Sequence, residues 1–378
     1  MKEIGLYVHI PFCVSKCYYC NFTSFSGLDN LKADYKNAII NEIIAFSDKA
    51  IDYVVTSIYV GGGTPSCFLS EGISDIINTI KLHYNVSPSA EISVEANPNS
   101  ISKAKVEEWK SCGVNRVSIG LQSSDDELLK TINRPHTQSD YLNAISILKS
   151  YGFDNLNTDI MLGLPNQTMK HIKDTIKLIL KTKIPHVSAY SLILEEDTPL
   201  HKMVESGELD LPKEDDAVKM YDYVLKKLSK HKIKRYEVSN FAKTGKECKH
   251  NLNCWNMVEY VGFGVGANSY FNGVRWGNIT DVKQYISNIK SNLSVEDFSE
   301  KQSINDLFDE YIMLKLRTVD GVDLNKIKTD YNRDLMVDKK KEIEMLKKYK
   351  LIRIKNNHIF ATSKGFKLLN QIILDLVY

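Results

Sequence analysis

Leu6-Tyr7-Val8-His9-Ile10-Pro11-Phe12-Cys13-Val14-Ser15-Lys16-Cys17-Tyr18-Tyr19-Cys20 begins as an apolar strand and ends as a loop carrying three cysteines at CxxxCxxC spacing. Three thiolates on one strand-following loop can each hold one iron of a cubane [4Fe-4S] cluster, leaving the fourth iron without a protein ligand. S-adenosylmethionine (SAM) can chelate that open iron through its methionine amine and carboxylate. An electron from the cluster then cleaves the sulfonium to give a 5'-deoxyadenosyl radical. Two blander readings stand beside this one: a structural zinc site, or cysteines buried as small apolar residues. Three cysteines without a fourth fit structural zinc poorly, and the surrounding loop is polar and aromatic.

Outward from this loop, short apolar runs alternate with longer amphipathic ones as far as about residue 240, the pattern of repeated β/α units. Predicted strands cover 4–10, 56–60, 91–95, 114–120, 155–161 and 186–193. Helical faces lie between them, as in Tyr35, Ile39, Ile43 and Phe46, or Tyr141, Ala144, Ile145 and Leu148. Right-handed crossovers turn such a series into a parallel sheet with helices outside, here an α/β fold with a partial (β/α)6-type barrel. The polar and glycine-rich segments His9–Cys20, Gly61–Ser66, Glu95–Pro98, Gln122–Ser124 and Asp159–Pro165 all follow strand ends, the rim where such folds bind ligands.

Near residue 295 the pattern changes. Helices are predicted at 304–317, 338–348 and 363–375, with a hairpin of Leu351–Ile354 and Ile359–Thr362 turning at Asn356 and Asn357. The expected organisation is a barrel with its extension over 1–295 and a small winged-helix-like domain over 296–378.

Among 378 residues, 43% are hydrophobic and 25% charged, which excludes a disordered or fibrous chain. No apolar run approaches the ~20 residues of a membrane span, and the N-terminus lacks a signal-peptide pattern. The expectation is a cytoplasmic protein without an integral membrane segment; a peripheral membrane contact stays open. A formal charge of +2 gives no global field for a polyanion. Seven cysteines, three of them clustered, favour metal ligation over disulfides, and Cys67, Cys112 and Cys248 stand singly.

The stretch from Tyr7 to Cys20 resembles the radical-SAM branch that contains oxygen-independent coproporphyrinogen III dehydrogenase and the HemW-type heme chaperones, and the resemblance runs over essentially the whole chain. It implies the roles of the rim residues. Gly62, Gly63 and Thr64, in Gly61-Gly62-Gly63-Thr64-Pro65, would contact the methionine end of SAM, where residues without Cβ let the backbone come close. Glu95 and Gln122 would hold the adenosyl portion, Arg134 the methionine carboxylate through its planar fork, and Asp159 the ribose. Tyr7 would lie beside SAM, and Tyr19 is counted with the cofactor-binding residues. Taken singly, each of these polar residues reads as a surface or loop side chain; together, at successive strand ends of one barrel, they point into a common volume.

Two features separate the members of the branch. The dehydrogenase carries a further cysteine two residues after the third, where this chain has Asn21-Phe22. The chain also starts six residues before Tyr7, without the longer segment that precedes the loop in the dehydrogenase. Both are expected of the chaperones. His250-Asn251-Leu252-Asn253-Cys254-Trp255 resembles their His-Asn-x-x-Tyr-Trp signature, with Cys254 standing at the tyrosine position. On the resemblance, His250 is a candidate heme contact and Trp255 a candidate stacking partner for the porphyrin; otherwise His250 orients a loop and Trp255 fills the barrel mouth. The expected ligands are a [4Fe-4S] cluster, SAM and heme, and the expected partner is an acceptor hemoprotein. Two alternatives remain: the dehydrogenase activity itself, and an RNA-modifying radical-SAM enzyme using the basic run from Lys339 to Lys355. The interleaved Glu342 and Glu344 argue against nucleic acid.

Overall fold

β1 (Lys2–Ile10) alternates residues of two kinds, and the alternation decides what the sheet encloses. A computed structural model describes residues 1–378. After β1 come α1 (Lys32–Phe46), β2 (Tyr53–Gly62), α2 (Gly72–His83), β3 (Val86–Ala96), α3 (Lys103–Ser111), β4 (Arg116–Gln122), α4 (Asp126–Thr131), α5 (Gln138–Ser150), β5 (Leu156–Leu162), α6 (Met169–Thr182) and β6 (His186–Ser191). The six strands pair in parallel in chain order, as the β/α period predicts.

Leu6, Val8, Ile10, Ile58, Val60, Ile92, Val94, Val117 and Ile119 turn outward into a single apolar core shared with the helices. The alternate residues turn inward. Strand register stacks these into layers: Gly5 beside Ser57 and Glu91, then Tyr7 beside Tyr59, Ser93 and Arg116, then Glu95 beside Ser118, Asn157 and His186, then Gly120 beside Asp159 and Ser188. The interior is therefore polar, whereas a closed barrel of this kind fills its centre with branched apolar side chains. Helices begin on side-chain caps where the chain leaves a strand, with Ser102 capping α3, Asp125 capping α4, and Thr137 with Asp140 forming a capping box on α5.

Next come α7 (Pro199–Glu205), α8 (Glu214–Lys230), β7 (Lys234–Arg235), β8 (Asn240–Ala242), α9 (Lys249–Trp255), β9 (Tyr260–Phe263), β10 (Asn268–Phe271), β11 (Val274–Asn278), α10 (Val282–Lys290) and β12 (Glu296–Lys301). β9 pairs in parallel with β1, and β10 to β12 continue that edge antiparallel, while β8 and β7 extend the other edge beyond β6. The sheet never closes: its edges are β12 and β7, so the barrel is partial. None of these later strands is predicted from periodicity, because runs of two to six residues are too short for it.

The remaining elements are α11 (Ile304–Leu316), β13 (Val322–Asp323), α12 (Leu324–Tyr331), α13 (Leu335–Asp338), α14 (Lys340–Lys348), β14 (Ile352–Lys355), β15 (His358–Ala361) and α15 (Leu369–Val377). Their apolar residues form a second core running from Phe308 to Leu376. Asn356 and Asn357 both take positive φ in the two-residue turn joining β14 to β15, as predicted. The helix predicted at 338–348 starts earlier and breaks at Lys339, because the Asp334 side chain caps a separate turn, α13. No helix is long and apolar enough to cross a membrane.

Candidate functional site

The cysteine loop is held from both ends. Cys13 N–H donates to Phe25 O and Phe25 N–H to Pro11 O, closing the loop's neck at 2.9 and 2.7 Å. His9 Nε2 donates to Thr23 O at 2.7 Å, which leaves Nδ1 to accept from the Tyr7 hydroxyl at 3.0 Å. Gly62 sits at φ +112°, and a Cβ there would come within 2.7 Å of the His9 ring. A Cβ on Gly63 would meet Cys13 Sγ at 3.0 Å, so the glycine run is what lets the second strand's end lie against the cysteine loop.

Cys13, Cys17 and Cys20 line one wall of a cavity of about 420 Å³, within the roughly 300–1,000 Å³ of small-ligand sites. They do not converge as on a single metal ion. Thr64 Oγ1 donates to Cys13 Sγ and Arg134 Nη1 to Cys17 Sγ, each at 3.4 Å. Burial pushes the Cys13 thiol up, with the Thr64 hydrogen bond opposing it. Gly62, Gly63, Thr64, Glu95, Gln122, Arg134, Asp159 and Tyr19 line the same cavity. The structure thus brings together eleven of the fourteen site residues expected from sequence and resemblance. Tyr7 is not among them; it stands behind the wall, hydroxyl to His9, ring against Tyr59.

The charges in the cavity are mixed. Glu95 accepts from the Tyr59 hydroxyl at 2.6 Å and from Gly62 N–H at 3.2 Å, and burial holds its carboxyl up at about 7. Asp159 accepts from Asn157 at 2.6 Å and Ser118 at 3.1 Å, and burial raises it too. Arg134 donates to Asn97 Oδ1 at 2.6 Å and Gly120 O at 2.7 Å, while its buried Nε has no partner. Acceptors and a guanidinium donor in one lining suit a ligand carrying both hydroxyl or ammonium donors and a carboxylate. Gln122 reaches the cavity from a distortion at the end of β4. Leu121 is an extra residue in the pairing with β5, Gln122 takes φ +63°, and Ser123 N–H turns back to Leu121 O at 2.8 Å.

His250 and Trp255 are not brought into this cavity. The expectation of a loop imidazole gives way to a buried one: His250 lies in the first turn of α9, 8% exposed, because the small residues Gly5 and Ser57 leave a hole that it fills. Its Nδ1 meets Ser57 Oγ at 3.1 Å, and burial, with the Arg116 charge, lowers its pKa to about 4. Trp255 is half-buried at the far end of α9, and burial pushes the neighbouring Cys254 thiol up to about 11. Sequence reasoning missed Asn97 and Tyr59 as supports of the site. Asn97 stands inside the rim stretch Glu95–Pro98 and was open to notice; nothing local marked Tyr59.

Residues 7–179 match the Radical SAM superfamily and residues 303–368 the HemN C-terminal domain. The chain is similar to the heme chaperone HemW of Bacillus subtilis, at 35% identity over 97% of each chain. It is similar to that of Lactococcus lactis at 34% identity, over 98% of this chain and 96% of the other. Its fold matches that of coproporphyrinogen III oxidase (HemN) from Escherichia coli, a radical SAM enzyme, with a TM-score of 0.87 over 99% of this chain and 90% of that one, at 20% identity.

Proposed function

The chain belongs to the HemW family of radical-SAM proteins, and from that premise we propose that it holds a [4Fe-4S] cluster on Cys13, Cys17 and Cys20, binds SAM at the open iron, and carries heme to an acceptor hemoprotein. The observation that carries the cluster and SAM is one cavity lined by the three thiols, the glycine run and the strand-end side chains. When bound, the cluster supplies the electron for reductive cleavage of SAM. The Arg134 guanidinium is the proposed donor for the methionine carboxylate, Asp159 and Glu95 accept from hydroxyl or ammonium groups, and Gly62 and Gly63 admit the ligand's approach to the backbone. Gln122 faces the adenosyl end.

Heme rests on the family and on the cavity's mouth. Phe22 and Ile193 line the cavity yet are 69% and 70% exposed, an apolar rim suited to the flat face of a macrocycle. His250 and Trp255 stay as proposed heme contacts on the family resemblance alone; in the structure the imidazole faces inward onto Ser57.

The same rim would also suit coproporphyrinogen III, which keeps the dehydrogenase as the second reading. Two assays on the anaerobically reconstituted protein separate them. The chaperone reading expects a heme absorption band that transfers to added apomyoglobin, and no protoporphyrinogen formed with SAM. Decarboxylation with SAM consumed in proportion, and no affinity for heme, would overturn it.

A further inference from the structure

Glu95 can present its carboxylate to a ligand in one orientation only while its two donors, the Tyr59 hydroxyl and Gly62 N–H, stay in place. Gly62 is fixed by its strand. Tyr59 is fixed by packing: its ring stacks on Tyr7 with centroids 6.2 Å apart and on His250 at 5.2 Å, planes 21° and 27° from parallel. The two rings close Tyr59 in from neighbouring positions, since Tyr7 also stacks on His250 at 6.2 Å. His250 is in turn the one ring of the three that no barrel strand contributes.

We infer that His250 is a positioning residue for the ligand received by Glu95, acting through Tyr59. The inference rests on the proposed binding of SAM in this cavity and adds to it a role for a side chain that does not touch the ligand. The layer of Gly5 and Ser57 lacks bulk, and interiors close-pack, so an imidazole from outside the barrel is what seats the phenol ring above it. α9 is pinned to carry it there. Lys249 N–H donates to Glu91 Oε1 at 2.9 Å, and Asn253 Nδ2 donates to Thr56 Oγ1 at 3.1 Å and Ser57 Oγ at 3.3 Å. From the other side Lys315 Nζ, on α11, donates to Asn256 at 2.9 Å, so the C-terminal unit backs the same helix. Without the imidazole the phenol tips into the space left behind and its hydroxyl leaves Glu95.

Calorimetric titration of SAM into the cluster-loaded full chain tests this with His250→Ala, Tyr59→Phe, the double variant and His250→Gln. Each of the first two is expected to weaken SAM about tenfold, the scale of one well-placed hydrogen bond. The double variant should lose no more than the weaker single one, because both remove the same hold on Glu95. His250→Gln, which keeps a polar group for Ser57 and bulk beneath Tyr59, should recover most of the affinity. Parent affinity in either single variant, or additive losses in the double, overturns the positioning role. Should His250→Ala lose its cluster absorption, Tyr59→Phe decides alone, parent affinity there overturning the role. A parent that binds no SAM removes the proposed function along with it, so the two failures are distinct.

Discussion

Arg134 and Cys17, 117 residues apart in the chain, meet at 3.4 Å between Nη1 and Sγ. The same guanidinium holds Asn97 and the Gly120 carbonyl, so one side chain ties the cysteine loop to the ends of β3 and β4. A fixed positive charge beside a cluster thiolate favours the reduced, more negative state. Arg134→Gln should therefore lower the cluster's midpoint potential and weaken SAM roughly ten- to hundredfold, the scale of a charge-assisted hydrogen bond. Voltammetry of the cluster-loaded protein and a SAM titration check both; parent values for the two would remove Arg134 from the site.

Gln122 pays in backbone strain for its place in the cavity. A non-glycine residue at φ +63° is held against a preference of about 1–3 kcal/mol. Gln122→Gly relieves that strain and deletes the carboxamide. Its urea midpoint should be no lower than the parent's while SAM binding weakens several-fold. An unchanged SAM affinity would mean that the side chain faces the cavity without holding the ligand.

Glu42 predicts a pH dependence away from the site. It accepts from the Tyr285 hydroxyl at 2.5 Å, Asn278 at 2.7 Å and Gly264 N–H at 2.8 Å, and burial nonetheless lifts its carboxyl from 4.5 to about 7. The folded chain then binds this proton more tightly than the unfolded one. The contribution is complete below about pH 4.5 and is lost as pH rises through about 7. Glu42→Gln has no such proton. Relative to that variant, the parent should lose about 3 kcal/mol over this window, read from urea unfolding at a series of pH values. A difference that does not change with pH would contradict a protonated Glu42.

What was legible in the residues was what is local. The CxxxCxxC loop, the glycine run and the strand-end polar residues each carry their signal within a few positions, and repeated β/α units leave one rim for them to share. The polar barrel interior was harder to see: strands such as Val55 to Val60 read as apolar runs, and only register shows that Ser57 and Tyr59 face inward with Gly5 and Tyr7. His250 reads from sequence as a loop imidazole, because its buried seat depends on contacts across great separations. Lys249 reaches Glu91 over 158 residues and Asn253 reaches Thr56 over 197. The edge strands β9 to β12 were missed for the same reason: each is short and exists because a neighbour pairs with it.

The central claim is that Cys13, Cys17 and Cys20 hold a cluster whose open iron takes SAM, and electron paramagnetic resonance of the reduced, anaerobically reconstituted protein tests it most directly. The account predicts about four irons per chain and a cluster signal whose g values shift when SAM is added. Both should vanish when the three cysteines are replaced together by alanine. A triple variant that keeps the irons, or a parent cluster signal indifferent to SAM, would contradict it.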